Sequence, residues 1–257
     1  MSTRLSDQAV CIRHWDFSET SQTVSLFLRD HGLVRGLAKG SKQAKGRFSG
    51  GIGLLSRGHV QAIVKSGRDL ATITEWDLLE LYPALSRNLA SHYAGLYFAD
   101  LIQHLFSEAD PHPDMFDCLT KSLAALPDSG SVENRLLAFQ WTALVEAGFR
   151  PVLDHDAQTG ETFPDDAKSL GFSAGAGGTV VDDGRGDRWR VRTETIVLLR
   201  RVADGSHDEA AHPSDQAVGR ANLLLAAYLR AIMDREPATM RAVFGKKLPA
   251  TTTARRN

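Results

Sequence analysis

The sequence predicts an α+β protein, in which a small five-stranded β-barrel precedes an α-helical domain interrupted by an irregular segment. Three observations carry that expectation. Apolar residues recur at every second position up to about Tyr82, as in half-buried strands; after Pro83 they recur at three- and four-residue steps, as in helices; between residues 149 and 190 neither period holds. The chain of 257 residues suffices for two ordinary domains. The expected division is 1–82 for the barrel, 83–148 and 191–247 for the helices, 149–190 for the insertion and 248–257 for a flexible tail.

The barrel pattern begins at Gln8. Val10 and Ile12 alternate with Cys11, Arg13 and Trp15, and Val24, Leu26 and Leu28 share one face of a second strand. Asp30-His31-Gly32 signals a turn. A third strand over Leu33–Lys39 places Arg35, Leu37 and Lys39 on one side and Val34, Gly36 and Ala38 on the other. A long glycine- and lysine-rich loop follows, then strands over His59–Lys65 and Leu70–Trp76 separated by the turn Ser66-Gly67-Arg68-Asp69. Five short strands with one long loop fit an OB-fold, a small barrel widely used to bind nucleic acid.

In the helical region, Leu89, Tyr93, Leu96, Tyr97, Leu101 and Leu105 form the inner stripe of a helix over about Ser86–Leu105. Asp110-Pro111 signals the start of a second helix, with Phe116, Leu119, Leu123 and Leu126 inward. Ser131 caps a third, with Leu137, Trp141, Leu144 and Val145 on its buried stripe and Gly148 at its end. Two more cover Glu194–Val202 and Val218–Met233. The intervening insertion is rich in Asp and Gly and has no periodic apolar pattern.

Enzyme signatures fail. In Gly40–Lys45 the lysine precedes the glycine, unlike a phosphate-binding P-loop, and neither GxSxG nor HExxH occurs. Gly175-Ala-Gly-Gly-Thr has no evident strand before it and no helix after it, so it is not a dinucleotide fingerprint. His155-Asp156 with Asp154 and Glu161 could bind a metal, but no second His or Cys lies at ligand spacing, and Asp165-Asp166 and Asp182-Asp183, conceivable Mg²⁺ ligands of a hydrolase or nucleotidyl transferase, sit in turns that favour Asp in any case. The two cysteines, Cys11 and Cys118, read as buried, reduced thiols that build neither a disulfide framework nor a zinc site. No stretch is long and apolar enough to span a bilayer, and a soluble, cytoplasmic protein without membrane partners is expected.

Binding is better supported. Leu33–Arg68 holds eight basic side chains, Arg35, Lys39, Lys42, Lys45, Arg47, Arg57, Lys65 and Arg68, and no Asp or Glu, so the rest of a chain of net charge −1 must be acidic. Packing gives no reason for one-sided charge, whereas phosphate recognition does. Neutralising about five phosphates gives a salt slope near −3.5 on single strands. Phe48 is the only aromatic residue in this stretch, which points to backbone recognition more than base identity. Trp15, Phe17 and Phe27 lie on neighbouring strands; core is the better assignment for Phe27, while the period leaves the other two open. An RNA-binding module of translation or RNA processing fits the charge and fold equally.

Taken as a set, Ile12-Arg13, Asp16-Phe17-Ser18-Glu19-Thr20-Ser21, Val24-Ser25-Leu26-Phe27, His31-Gly32-Leu33-Val34-Arg35, Ala38-Lys39-Gly40 and Arg47-Phe48-Ser49-Gly50 resemble the N-terminal signature of the RecO family of bacterial recombination mediators. The resemblance covers the first 80 or so residues well and the helical body weakly. It implies an OB-fold followed by a helical domain with a zinc-binding insertion. It also implies a non-enzymatic role: binding single- and double-stranded DNA, annealing complementary strands, and working with RecR to load RecA onto DNA coated by single-strand-binding protein, whose acidic tail docks on the helical domain. By similarity Arg35, Lys39, Lys42, Lys45 and Arg47 are the candidate phosphate contacts. One departure stands out. Many members carry paired cysteines where this chain has Asp156 and Thr159 after Leu153-Asp154-His155, and none appears near Gly177–Val181 either. The insertion therefore reads as a degenerate zinc finger without zinc, held by packing or mobile.

Overall fold

In the computed structural model the described residues are 2–43, 47–48, 50–126, 132–164, 166–205, 214–245 and 248. They fall into two compact units, Met1–Gly130 and Ser131–Asn257. In the first unit, strands β1 (Ser2–Asp16), β2 (Gln22–Leu28), β3 (Gly32–Ala38), β4 (Arg57–Lys65) and β5 (Ala71–Glu80) form a mixed sheet in the order β1-β2-β3-β5-β4, and β4 pairs back onto β1 to close a ring. Every pairing is antiparallel except β3 with β5. The length of β1 makes closure feasible: Ser2–Val10 pair with β4 and Ala9–Asp16 with β2, with a register shift between Cys11 and Arg13 that bends the strand.

The ring's interior is filled as the alternation of β2 predicts, but in β1 by Ala9 and Cys11, while Val10 and Ile12, which marked the strand, are buried outside that cluster. Leu5, Ala9, Cys11, Val24, Leu26, Leu28, Val60, Ala62, Ile73 and Trp76 pack together there. Gly58 is required beside Trp76, because a Cβ at that position would lie 2.5 Å from the indole. Burial pushes the Cys11 thiol pKa up to about 12, and Cys118, expected to be buried, is only partly so.

The period changes at Pro83, but the packing boundary lies beyond Leu126, because the outer face of β2 is apolar as well. Phe27 points out of the ring and is still fully buried, its ring 6.1 Å from those of Phe106 and Phe116. Helices α1 (Leu89–Leu105) and α2 (Pro113–Ala125) supply that cover. A 3₁₀ turn over Pro83–Arg87 displaces the expected helix start from Ser86 to Leu89. Asn88 caps α1 by accepting from the N–H groups of Ala90 (2.9 Å) and Ser91 (3.2 Å), worth about 1 kcal/mol. Leu89, assigned to the inner stripe by its spacing, is 67% exposed in the first turn. The second helix begins at Pro113, not at Asp110-Pro111, with proline at the first position where no N–H is needed.

The second unit holds α3 (Val132–Glu146), α4 (Thr193–Ala203), α5 (Asp215–Met233) and α6 (Ala238–Phe244). The expected cap Ser131 lies outside the described residues, as does the proposed tail apart from Leu248. Gly148, at φ +79°, ends the region of α3, while Val145 is exposed instead of buried. The seven-residue α6 escaped the periodic reading because it spans barely two turns. Buried Gln140 donates to Asn222 (2.8 Å), whose own amide donates to the Glu133 carbonyl (2.8 Å), tying α3 to α5.

The insertion is not irregular. Strands β6 (Ser169–Ser173), β7 (Gly178–Val180) and β8 (Trp189–Arg192) form an antiparallel sheet in the order β7-β6-β8. Strands of three to five residues are too short for alternation to register. The glycine run at 175–178 does follow a strand, β6, but leads into β7 and is a hairpin connection. Among the described residues no helix is long and apolar enough to cross a membrane.

A carboxylate knot organises the start of the insertion. Asp156 is 4% exposed; its Oδ1 accepts from the N–H groups of Gln158 (2.8 Å) and Thr159 (3.0 Å), and its Oδ2 from that of Val181 (2.8 Å). Burial raises the carboxyl pKa, but the three backbone donors and nearby Arg188 outweigh it and hold it below the usual range. Arg188, whose side chain is buried, donates to the Val181 carbonyl (2.8 Å), and the Thr179 hydroxyl to the carbonyls of Val152 and His155 (3.1 and 3.2 Å). Zinc requires thiolate, imidazole or carboxylate donors free to approach to about 2.0–2.3 Å. Here the residues at the family's first cysteine positions are a threonine and a carboxylate already occupied by amides, and among the described residues no three His, Cys, Asp or Glu side chains converge. The site does not fit zinc.

Candidate nucleic-acid interface

The glycine-lysine loop between β3 and β4 is fixed to the ring at several points. The Gln22 amide, buried at the start of β2, is the main anchor: its Oε1 accepts from the Ser41 hydroxyl (3.0 Å) and the Ile52 N–H (3.1 Å), and its Nε2 donates to the Ile52 carbonyl (3.4 Å). Both limbs of the loop are thereby clamped to one side chain. The Lys42 N–H donates to the Thr20 carbonyl (3.1 Å) and the Gly40 N–H to the Ser21 hydroxyl (3.2 Å), joining the loop to the β1–β2 connection. Phe48 enters the ring's core, and the Trp76 N–H donates to the Arg47 carbonyl at 2.8 Å. Gly50 and Gly51, at φ +87° and +129°, make the return that a side chain would strain. Replacing Gln22 by Leu leaves the Ile52 N–H buried and unpaired. A loss of about 1–3 kcal/mol in urea unfolding is expected; unchanged stability would show that the clamp is dispensable.

Alternation in β3 puts Arg35 and Leu37 outside the ring, with Lys39 continuing that side. Lys39 and Arg47 are exposed, and among the described residues neither has a carboxylate within 4.0 Å. Lys42 is different: its Nζ is 2.5 Å from Asp16 Oδ1, and that hydrogen bond, aided by the Lys42 charge, lowers the Asp16 pKa. Arg35 lies at the edge of a 4.0 Å contact with Glu108, an exposed and weak pair. Lys45 lies outside the described residues.

The described basic residues do not form one patch. Arg57 bonds Glu80 at 3.3 Å, and the parallel pairing of Gly36 with Ala71 sets the β4–β5 turn, with Lys65 and Arg68, toward the start of β3, away from the loop that leaves its end. An acid-free segment of sequence thus receives carboxylates from Asp16, Glu80 and Glu108, all outside it. The fold concentrates Lys39, Lys42 and Arg47 at one end of the ring. It also brings two exposed aromatic residues there, Trp15 and Phe17, whose position the strand period left open.

Asp182 pairs with Arg190 (3.0 Å), Asp183 with Arg185 and Arg188 (3.1 Å each) and Asp154 with Arg200 (3.2 Å), so these acids of the insertion are engaged by arginines. Asp165 lies outside the described residues. A cavity of about 220 Å³ in the second unit is lined by Trp141, Arg150, Leu153, Asp154, Arg200 and Asp204, a mixed field unlike that of the loop.

Comparison with known proteins places both parts of the chain in one family. Residues 1–82 match the family model "Recombination protein O N terminal" and residues 86–240 the model "Recombination protein O C terminal". The chain is 32% identical to the DNA repair protein RecO of Rhodopirellula baltica over 198 residues, covering 76% of this chain and 73% of that one. It is 32% identical to the RecO of Geobacter sulfurreducens over 195 residues (76% and 78%), and 28% identical to that of Anaeromyxobacter dehalogenans over 243 residues (93% and 95%). The chain belongs to the RecO family, DNA-repair proteins that act as recombination mediators.

Proposed function

We propose that the chain binds single- and double-stranded DNA through an OB-type ring, brings complementary strands together, and acts with RecR to load RecA onto DNA coated by single-strand-binding protein, in the cytoplasm at the nucleoid. The strand order β1-β2-β3-β5-β4, with β1 shared between both halves, supports the OB reading. One observation carries the DNA reading: Lys39 and Arg47 stand exposed, without a carboxylate within reach among the described residues, beside loop positions hydrogen-bonded to the ring. Cations presented this way meet phosphates without first giving up a partner, and pairing two polyanions is eased as counterions are released. Arg35, Lys39, Lys42, Lys45 and Arg47 are the proposed contacts. Docking of the acidic tail of single-strand-binding protein on the helical part is proposed on family grounds.

The test is annealing of complementary oligonucleotides pre-coated with single-strand-binding protein, with and without RecR and with matched RNA as competitor. Annealing that falls with rising salt and resists RNA competition is expected. RNA competing as well as DNA would overturn the reading in favour of an RNA-binding module.

A further inference from the structure

We infer that Trp15 and Phe17 form a base-stacking surface for single-stranded nucleic acid on the outer side of the ring, a reading that rests on the DNA-binding function proposed above. The register defines the surface. Trp15 lies opposite Thr23, and Thr23 opposite Leu37, so these three form one row across β1, β2 and β3. The neighbouring row, Arg13, Ser25 and Arg35, is where helical cover ends: Arg13 bonds Asp100 at 2.6 Å, and the Ser25 hydroxyl donates to Gln103 at 2.8 Å. Phe27, on the same face, is wholly buried beneath Phe106 and Phe116, while Trp15 is 47% and Phe17 63% exposed. The face is therefore covered at one end and open at the other, with its aromatic residues kept at both.

Charge beside the open end identifies the occupant. The Phe17 N–H donates to the Ser21 carbonyl (2.9 Å), and the Ser21 hydroxyl accepts from the N–H of Gly40, next to Lys39. Continuing the alternation of β3, Lys39 follows Leu37 on the same outer side. Flat apolar rings flanked by an unpaired cation suit a strand whose bases are free and whose phosphates run alongside. A duplex keeps its bases stacked inside and offers only its phosphates. The surface thus discriminates unpaired from paired DNA, which charge alone does not.

The test measures affinity for oligothymidine and for a duplex of equal length at several salt concentrations, with wild type, Trp15→Ala/Phe17→Ala, Trp15→Phe, and a Lys39→Glu/Arg47→Glu variant. The double aromatic variant should lose about tenfold or more on the single strand and less than about twofold on the duplex, with an unchanged salt slope. Trp15→Phe should retain most of the affinity, and an abasic strand should bind wild type as weakly as oligothymidine binds the double variant. Equal loss on single strand and duplex, or no loss, would overturn the inference. Should the aromatic variant lose single-strand binding while the charge-reversed variant keeps both activities, the stacking surface stands and the phosphate assignment fails; the reverse result separates them the other way.

Discussion

Replacing Lys39, Lys42, Lys45 and Arg47 together by Glu is expected to lower affinity for single and double strands by at least about 10³-fold near 0.1 M salt, by the counterion-release relation. Melting temperature should move by less than about 5 °C. Each phosphate contact contributes about 0.7 to the logarithmic salt slope on a single strand, so four lost contacts remove most of the salt dependence and reversal adds repulsion. The fold is spared because the loop is held through its backbone, through Gln22 and through Phe48, none of which the variant alters. Electrophoretic mobility shift and annealing assays read the result. A variant that anneals strands like wild type would remove these residues from the interface.

The second large effect is at Asp156. Asp156→Ala deprives three backbone N–H groups of their acceptor in a buried place and is expected to destabilise the second unit by about 2–4 kcal/mol at neutral pH. Asp156→Asn keeps one acceptor oxygen and should lose less. The pH dependence has a definite sign. The folded carboxyl pKa lies below its ordinary value, so its contribution is complete above the unfolded value of roughly 4 and is lost as pH falls through the depressed folded value. Wild type and the Asn variant should therefore differ at pH 7 and converge in strong acid. Urea titrations at several pH values, with hydrogen exchange at Gln158, Thr159 and Val181, provide the measurement. An Ala variant as stable as wild type at pH 7 would show that the knot is incidental.

Periodicity made the ring legible because its inner face is filled by single apolar residues at every second place. The faces of β3 followed directly, with Arg35 and Lys39 outward. What escaped was decided by contacts between distant residues. The outward Phe27 shows that β2 is apolar on both sides, which an alternating pattern hides and which attaches α1 and α2 to the strands. Charge counting along Leu33–Arg68 identified the loop but could not foresee Asp16 reaching Lys42 or Glu80 reaching Arg57, because those acids come from other strands. The aromatic content of the stretch itself suggested little stacking, while Trp15 arrives from the end of β1 and Phe17 from the connection that follows it. In the insertion, the departure from the family's cysteines was visible, but not its replacement by hydrogen bonds from one aspartate.

That replacement changes what the insertion is vulnerable to. Residues 149–190 contain no sulfur, and the Asp156 carboxylate there is engaged by backbone N–H groups. Peroxide, which turns zinc-bound thiolates into sulfenic acids, finds no thiolate there. The insertion's weak point is acid instead, which protonates the carboxylate that its backbone donors depend on.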